Sequence, residues 1–237
     1  MNVVAGEGGP PETDAMSVIE GAFAPLSGRR LLDVGCGAGT LVRSLSERGA
    51  SVAGIDPNPE ALAIAREAVP EGTFYVARAE ALPFADASFD GAVFLNSLHH
   101  VPKPVMHRAL REAARVVGAA GPIVVVEPLA EGSFFLSLRP VEDETEVRNA
   151  AQETLRRALE GGAFEQLRRV DYLRRERFED LEQFLSHVVA VDPAREATVA
   201  GRRPEVEAAF GRHAQAAAEG GMVLEQPMRA HILKTKA

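Results

Sequence analysis

The sequence predicts an α/β protein built on a mostly parallel sheet, and three observations carry that expectation. Short β-branched apolar runs alternate with amphipathic stretches of helical period through the first half of the chain. A few Gly, Pro or Asp residues join them, as the tight connections of such a sheet require. The first apolar run, Leu31-Leu32-Asp33-Val34, passes directly into Gly35-Cys36-Gly37-Ala38-Gly39 and then a helical stretch, so a strand feeds a glycine turn and a helix.

In chain order, residues 30–34, 51–55, 73–77, 91–95 and 122–127 read as strands, and 40–48, 59–69 and 104–117 as the helices between them. Pro59 and Pro104 suit first-turn helix positions, where a missing N–H costs nothing. Residues 84–89 are too few for a helix and read as a loop. After Pro128 the texture changes to Arg, Ala and Glu with longer helical patterns. Here 144–160 is expected to be a helix ended by Gly161-Gly162, 166–178 a strand, and 180–189 and 204–219 helices. Gly220-Gly221 is expected to close the last helix before a strand at 222–233, whose Pro227 argues for an edge or a bulge. Residues 1–15, rich in Gly, Pro and Glu, are expected to be flexible.

Composition narrows the function classes. The 237 residues, 46% hydrophobic and 25% charged, are enough to bury a sizeable core without covalent staples. One cysteine excludes an intrachain disulfide and any cysteine-clustered metal site, which fits a reducing, cytoplasmic setting. No basic stretch followed by an apolar core opens the chain, and no apolar run reaches the length of a membrane span. The formal net charge of −8 offers no basic field to nucleic acid, and the run Arg168, Arg169, Arg174, Arg175 and Arg177 reads as a solvated face. Absence of tryptophan and 5% aromatics argue against stacking platforms for single strands.

The glycine turn is the most informative segment. Glycines there let backbone approach a ligand closely, so helix N-terminal amides and loop carbonyls can meet a carboxylate or an amine. The dinucleotide pattern G-x-G-x-x-G would need glycine where Thr40 stands, and no G-x-x-x-x-G-K-[ST] phosphate loop is present.

Asp33, Gly35, Gly37 and Gly39 resemble the acidic-x-G-x-G-x-G first motif of class I S-adenosylmethionine-dependent methyltransferases. Asp56 and Pro57, at the end of the second strand, match the place where that family puts a carboxylate on the ribose hydroxyls and a neighbour beside the adenine. The stretch Arg78-Ala79-Glu80 resembles the adenine-binding loop. Arg78 departs from it, because many relatives carry an acidic residue there and arginine cannot accept a hydrogen bond. The resemblance then leaves the Ala79 amide and Glu80 to meet the base. Asn96, after the fourth strand, matches the segment whose backbone meets the cofactor amino group.

The resemblance covers residues 31–127 and rests on four elements in order. It implies a Rossmann-like, doubly wound sheet of seven strands in three α-β-α layers, with the last strand antiparallel and 1–237 forming one domain. It implies S-adenosyl-L-methionine as cofactor, with Cys36 inside the binding loop. The partner it implies is a small-molecule methyl acceptor of the quinone, sterol or natural-product type, and a homodimer is compatible with it. Residues 129–143 and the N-terminal segment would supply a lid. His99 and His100 are the candidate bases, standing together at a strand end where such sheets bind ligands. Glu112 and Arg115 read as a structural ion pair. The sulfonium methyl is already electrophilic, so alignment and exclusion of water carry most of the chemistry and a base is optional. A non-catalytic cofactor-binding protein that acts through a partner is the alternative.

Overall fold

The computed structural model describes residues 13–119 and 121–236. The expectations for 1–12, flexibility and a lid role, fall outside the described residues. The elements are α1 (Ala15–Phe23), β1 (Arg30–Val34), α2 (Thr40–Ser46), β2 (Ser51–Asp56), α3 (Pro59–Ala68), β3 (Thr73–Val76), β4 (Gly91–Leu95), α4 (Met106–Val117) and β5 (Pro122–Pro128). They continue as α5 (Ser133–Leu138), α6 (Thr145–Glu160), β6 (Phe164–Phe178), α7 (Leu181–Val191), α8 (Glu196–Gly201), α9 (Arg203–His213), β7 (Gln215–Ala216) and β8 (Met222–Thr235).

The sheet order is β3-β2-β1-β4-β5-β8-β6, with the two-residue β7 paired to β8 off that path. Strands β1 through β5 pair in parallel, and the C-terminal strand runs against them. The order reverses at β1, which steps to β2 on one side and β4 on the other, so a crevice opens at the carboxyl ends of these strands. Continuous burial along β4 and β5 is what a sheet covered on both faces demands.

The chain divides into two compact units. The larger comprises Thr13–Glu127, Ala150–Val170 and 229–236. Its core packs Leu32, Val34, Phe94 and Val125 of the sheet with Met106 and Leu110 of α4 and Ala151 and Leu155 of α6. The smaller comprises Pro128–Asn149 and Asp171–Met228. It closes around Phe134, Phe178, Phe184 and Phe210, whose rings meet edge-on or tilted at 5.3–6.4 Å. In that unit Arg148 is buried against Glu144 at 2.6 Å and donates to the Gln226 carboxamide and the Leu129 carbonyl, so the buried guanidinium is paired and hydrogen-bonded.

Local chemistry explains where the sequence reading holds and where it fails. Asn58 caps α3 and Pro59 occupies its first turn, as expected. Pro104 instead lies in a short 3-10 turn, and α4 begins at Met106. The predicted helix at 204–219 ends at His213, because Gln215 and Ala216 pair with Val223 and Met222. Gly220 and Gly221, at φ +85° and +78°, therefore form a hairpin turn rather than a helix end. Sheet pairing overrides the helix preference of that Ala-rich stretch.

Pro227 does not mark an edge, since β8 lies between β5 and β6. Its carbonyl accepts the Leu129 N–H just past the end of β5. Helices α1, α5 and α8 went unpredicted, α5 falling within the expected lid at 129–143. In the arginine run, Arg175 pairs with Glu225 at 2.8 Å and Arg177 donates to the Glu219 and Gly220 carbonyls. Arg174 pairs with Glu176 and lies over the Phe134 ring at 5.4 Å.

Candidate functional site

The segments leaving the carboxyl ends of β1 to β4 line a cavity of about 600 Å³, all of it within the larger unit. That size suits a nucleoside-sized ligand. Gly35 and Gly37 come from the loop after β1, Asp56 and Pro57 from β2, Arg78, Ala79 and Glu80 from the loop after β3, and Asn96, Ser97 and His100 from the turn after β4.

The glycine loop is held by backbone bonds, with the Gly35 and Cys36 amides both donating to the Ile55 carbonyl at 2.8 and 2.9 Å. Its glycines do different work. Gly35 has φ +79°, and a Cβ there would lie 2.6 Å from the Ser97 Cβ, so the loop presses against the turn after β4. Gly37 has φ +51° and faces open space on the cavity wall. Gly39 is a packing residue, since a Cβ there would meet Ala65 and the Phe74 ring at 3.1 and 3.2 Å.

Asp56 joins the loop to the next strand. One carboxylate oxygen accepts the Gly37 N–H at 3.0 Å and the other the Asn58 N–H at 2.8 Å. Each oxygen keeps a further acceptor site for a ligand hydroxyl. Asn96 adopts φ +54°, uncommon for a side-chain-bearing residue, and its Oδ1 is buried with no hydrogen-bond partner. A buried acceptor left unpaired costs on the order of 1–3 kcal/mol, which a ligand donor would recover. Its N–H is already given to the Val126 carbonyl.

Besides Gly39, two residues expected to bind the cofactor, Asp33 and Cys36, sit away from the cavity wall. Asp33 is 2% exposed with Oδ2 unpartnered. Burial, with the negative charge of Asp56 adding, pushes its carboxyl up to about 7. Cys36 is buried, and a Cβ on Gly54 would come within 2.7 Å of its Sγ, so the thiol fills space against β2. Burial, followed by the charges of Asp33 and Asp56, pushes that thiol well above its usual range and makes it a poor nucleophile.

The histidine pair divides. His100 is exposed and lines the cavity, whereas His99 is buried with its Nδ1 in hydrogen-bond contact with Glu127. The two rings lie with centroids 4.1 Å apart. Glu127 and Ser97 were not anticipated. Glu127 is fully buried and also accepts the Ser97 and Leu98 amides at 3.2 and 2.8 Å, while the Ser97 hydroxyl donates to the Val34 carbonyl at 2.6 Å. An acidic residue ending a parallel strand beside β4 was the available signal.

The loop after β3 is pinned to α4. Glu112 accepts the Leu82 N–H at 3.0 Å and pairs with Arg115, which donates to the Phe84 and Leu82 carbonyls at 2.8 and 3.1 Å. The Arg115 guanidinium holds the Glu112 carboxyl below its ordinary value. This pair is structural, as expected.

Among the described residues no helix is long and apolar enough to cross a membrane. Residues 32–125 match the family described as "Methyltransferase domain". An uncharacterized methyltransferase of Mycobacterium tuberculosis, Rv3342, is 37% identical over 102 residues, 43% of this chain and 41% of that protein. A ubiquinone biosynthesis O-methyltransferase of Alkalilimnicola ehrlichii is 39% identical over 104 residues, 42% of this chain and 41% of that protein. The chain thus matches less than half the length of these relatives. The YcgJ protein of Bacillus subtilis shares the fold at a TM-score of 0.65 and 20% identity, over 94% of this chain and 98% of that one. Residues 32–125, which build the cavity, thus resemble a methyltransferase domain in sequence, and the chain shares a fold with the YcgJ protein along nearly its whole length.

Proposed function

We propose that the chain binds S-adenosyl-L-methionine in the cavity and transfers its methyl group to a small-molecule acceptor. The observation that carries this reading is the pairing of two ligand-ready acceptors, Asp56 and the buried Asn96 Oδ1, across a glycine loop whose Gly37 faces open space. The donors they would meet are the ribose hydroxyls and the amino group. The Ala79 amide and Glu80 stand at the loop after β3 for the base, where Arg78 can contribute no acceptor. Cys36 and Asp33 support the loop from behind the wall.

When bound, the cofactor supplies a methyl group on a positively charged sulfur, an electrophile that needs no further activation. This chain's residues then bind, orient and exclude water. His100 stands on the wall, where it can take a proton from an oxygen or carbon acid. His99, held by Glu127, supports the turn. The relative named for ubiquinone biosynthesis makes phenols and quinols the first acceptors to test.

The test is calorimetric titration with S-adenosylhomocysteine, followed by labelled methyl transfer to phenols, quinols and amines. Asp56→Ala should weaken binding by roughly tenfold to a thousandfold, as loss of charge-assisted hydrogen bonds implies. Absence of binding to the wild type, or unchanged affinity in Asp56→Ala, would sink the cofactor reading. Binding without transfer to any acceptor would favour the non-catalytic alternative.

A further inference from the structure

We propose that Glu127 is a positioning residue that fixes two things at once: the turn after β4, and the ring nitrogen at which His99 carries its proton. The proposal deepens the cofactor reading, because Ser97 and His100 of that turn line the cavity.

A carboxylate with no exposure is costly unless its lone pairs are met by donors. Glu127 finds three on successive residues. Its Oε1 accepts the Ser97 and Leu98 amides at 3.2 and 2.8 Å, and its Oε2 lies in hydrogen-bond contact with the His99 Nδ1. The same turn is tied on its other side to β1, through the Ser97 hydroxyl on the Val34 carbonyl at 2.6 Å. One side chain on β5 therefore sets the position of a segment that faces the ligand.

Chemistry makes the arrangement testable. An ionised carboxylate can only accept, so each atom facing it must donate, and His99 is held with Nδ1 protonated. Glutamine has the same shape but one acceptor and one donor. In Glu127→Gln the two backbone amides claim the oxygen, because the opposite orientation would set the amide nitrogen against two N–H donors. The –NH₂ then faces Nδ1, and two donors cannot share a hydrogen bond. Nδ1 must give up its proton, leaving the ring proton on Nε2. A role limited to filling space would leave the ring protonation unchanged.

The experiment uses the full chain labelled with ¹⁵N-histidine, with two-bond ¹H–¹⁵N correlation spectra at neutral pH and His99→Gln to assign the signal. Expected are a protonated Nδ1 in the wild type and an unprotonated Nδ1 in Glu127→Gln. An unprotonated Nδ1 in the wild type overturns the proposal, whether or not the variant folds, and so does the same protonation pattern in both proteins. In parallel, S-adenosylhomocysteine affinity should change less than about threefold in Glu127→Gln, which keeps the amide acceptor, and fall at least about tenfold in Glu127→Ala, which loses it. Glu127→Asp takes the place of Glu127→Ala should the latter not fold. Equal affinity in the truncated variant and the wild type would refute the turn-holding half. A wild type that does not bind S-adenosylhomocysteine would refute the cofactor reading and leave the protonation result standing.

Discussion

Replacing Gly35 and Gly37 each by alanine separates what the loop does for the fold from what it does for the ligand. Both glycines have positive φ, so either alanine incurs about 1–2 kcal/mol of backbone strain. They differ in what the new methyl meets. At Gly35 it lies 2.6 Å from the Ser97 Cβ, whose own side chain is fixed by its bond to Val34 and cannot retreat without breaking it. Overpacking of that kind costs a further 1–3 kcal/mol or so, for a total of about 2–5 kcal/mol. At Gly37 nothing lies within 4 Å, and the methyl enters the cavity. In a chain of this size 1 kcal/mol moves the melting temperature by about 2–4 °C. Gly35→Ala should therefore melt roughly 4–20 °C lower than the wild type, and Gly37→Ala only about 2–8 °C lower. Calorimetric titration at a temperature where both are folded should show Gly37→Ala losing at least about tenfold in S-adenosylhomocysteine affinity, the loss of about one hydrogen bond's worth of contact. A Gly35→Ala protein with the wild-type melting temperature, or a Gly37→Ala protein with wild-type affinity, would refute this division of labour.

Asp33 gives the fold a pH dependence of unusual sign. Its carboxyl is raised to about 7 in the folded chain, so between about pH 4 and 7 the folded state holds a proton that the unfolded state has lost. Stability contributed by this group is present at the acid end of that window and falls as pH rises through it. Denaturant unfolding at pH 5 and 8 should show Asp33→Asn losing less stability than the wild type between the two, by up to about 3 kcal/mol, and parallel losses would count against it. The histidines should separate by readout. His99→Gln should lower the melting temperature by roughly 2–12 °C, because it breaks a buried bond to a carboxylate. His100→Gln should leave it within a degree or two, yet slow methyl transfer to an oxygen or carbon acid by roughly 10²–10⁴ if His100 is the base. Melting temperatures in the reverse order would contradict their placement.

Much of the first half was legible in the sequence because each strand there is an unbroken apolar run punctuated by Gly, Pro or Asp. The bounds at 30–34 and 91–95 are those of β1 and β4, and the others shift by one or two residues. The second half was less legible, for physical reasons. Residues 214–219 have helix-forming composition, and only their pairing partner in β8 makes two of them a strand. Pro227 suggested an edge because the ladder partners of β8 are far away in sequence. Helix α5 hid within Phe134-Phe135-Leu136, an apolar stretch whose reason lies in the phenylalanine cluster of the smaller unit.

The candidate site shows the same limit in finer detail. Glycine loop, Asp56 and Asn96 are readable because a local motif carries each of them. Glu127 is not, since the groups that meet its carboxylate, on Ser97, Leu98 and His99, lie 30, 29 and 28 positions away in the chain. Its meaning comes from register. Parallel pairing sets Leu95 beside Val126, so the residues just beyond them leave the sheet together at the same edge. Asn96 takes the Val126 carbonyl, and the next acceptor along β5 is the Glu127 carboxylate, which meets the next donors along the turn, Ser97 and Leu98. The three donor residues after β4 and the single acid after Val126 thus form one unit assembled by strand order. A reading that lined up the ends of adjacent parallel strands, instead of scanning for motifs along one, would have paired His99 with Glu127 and left His100 as the histidine that faces the ligand.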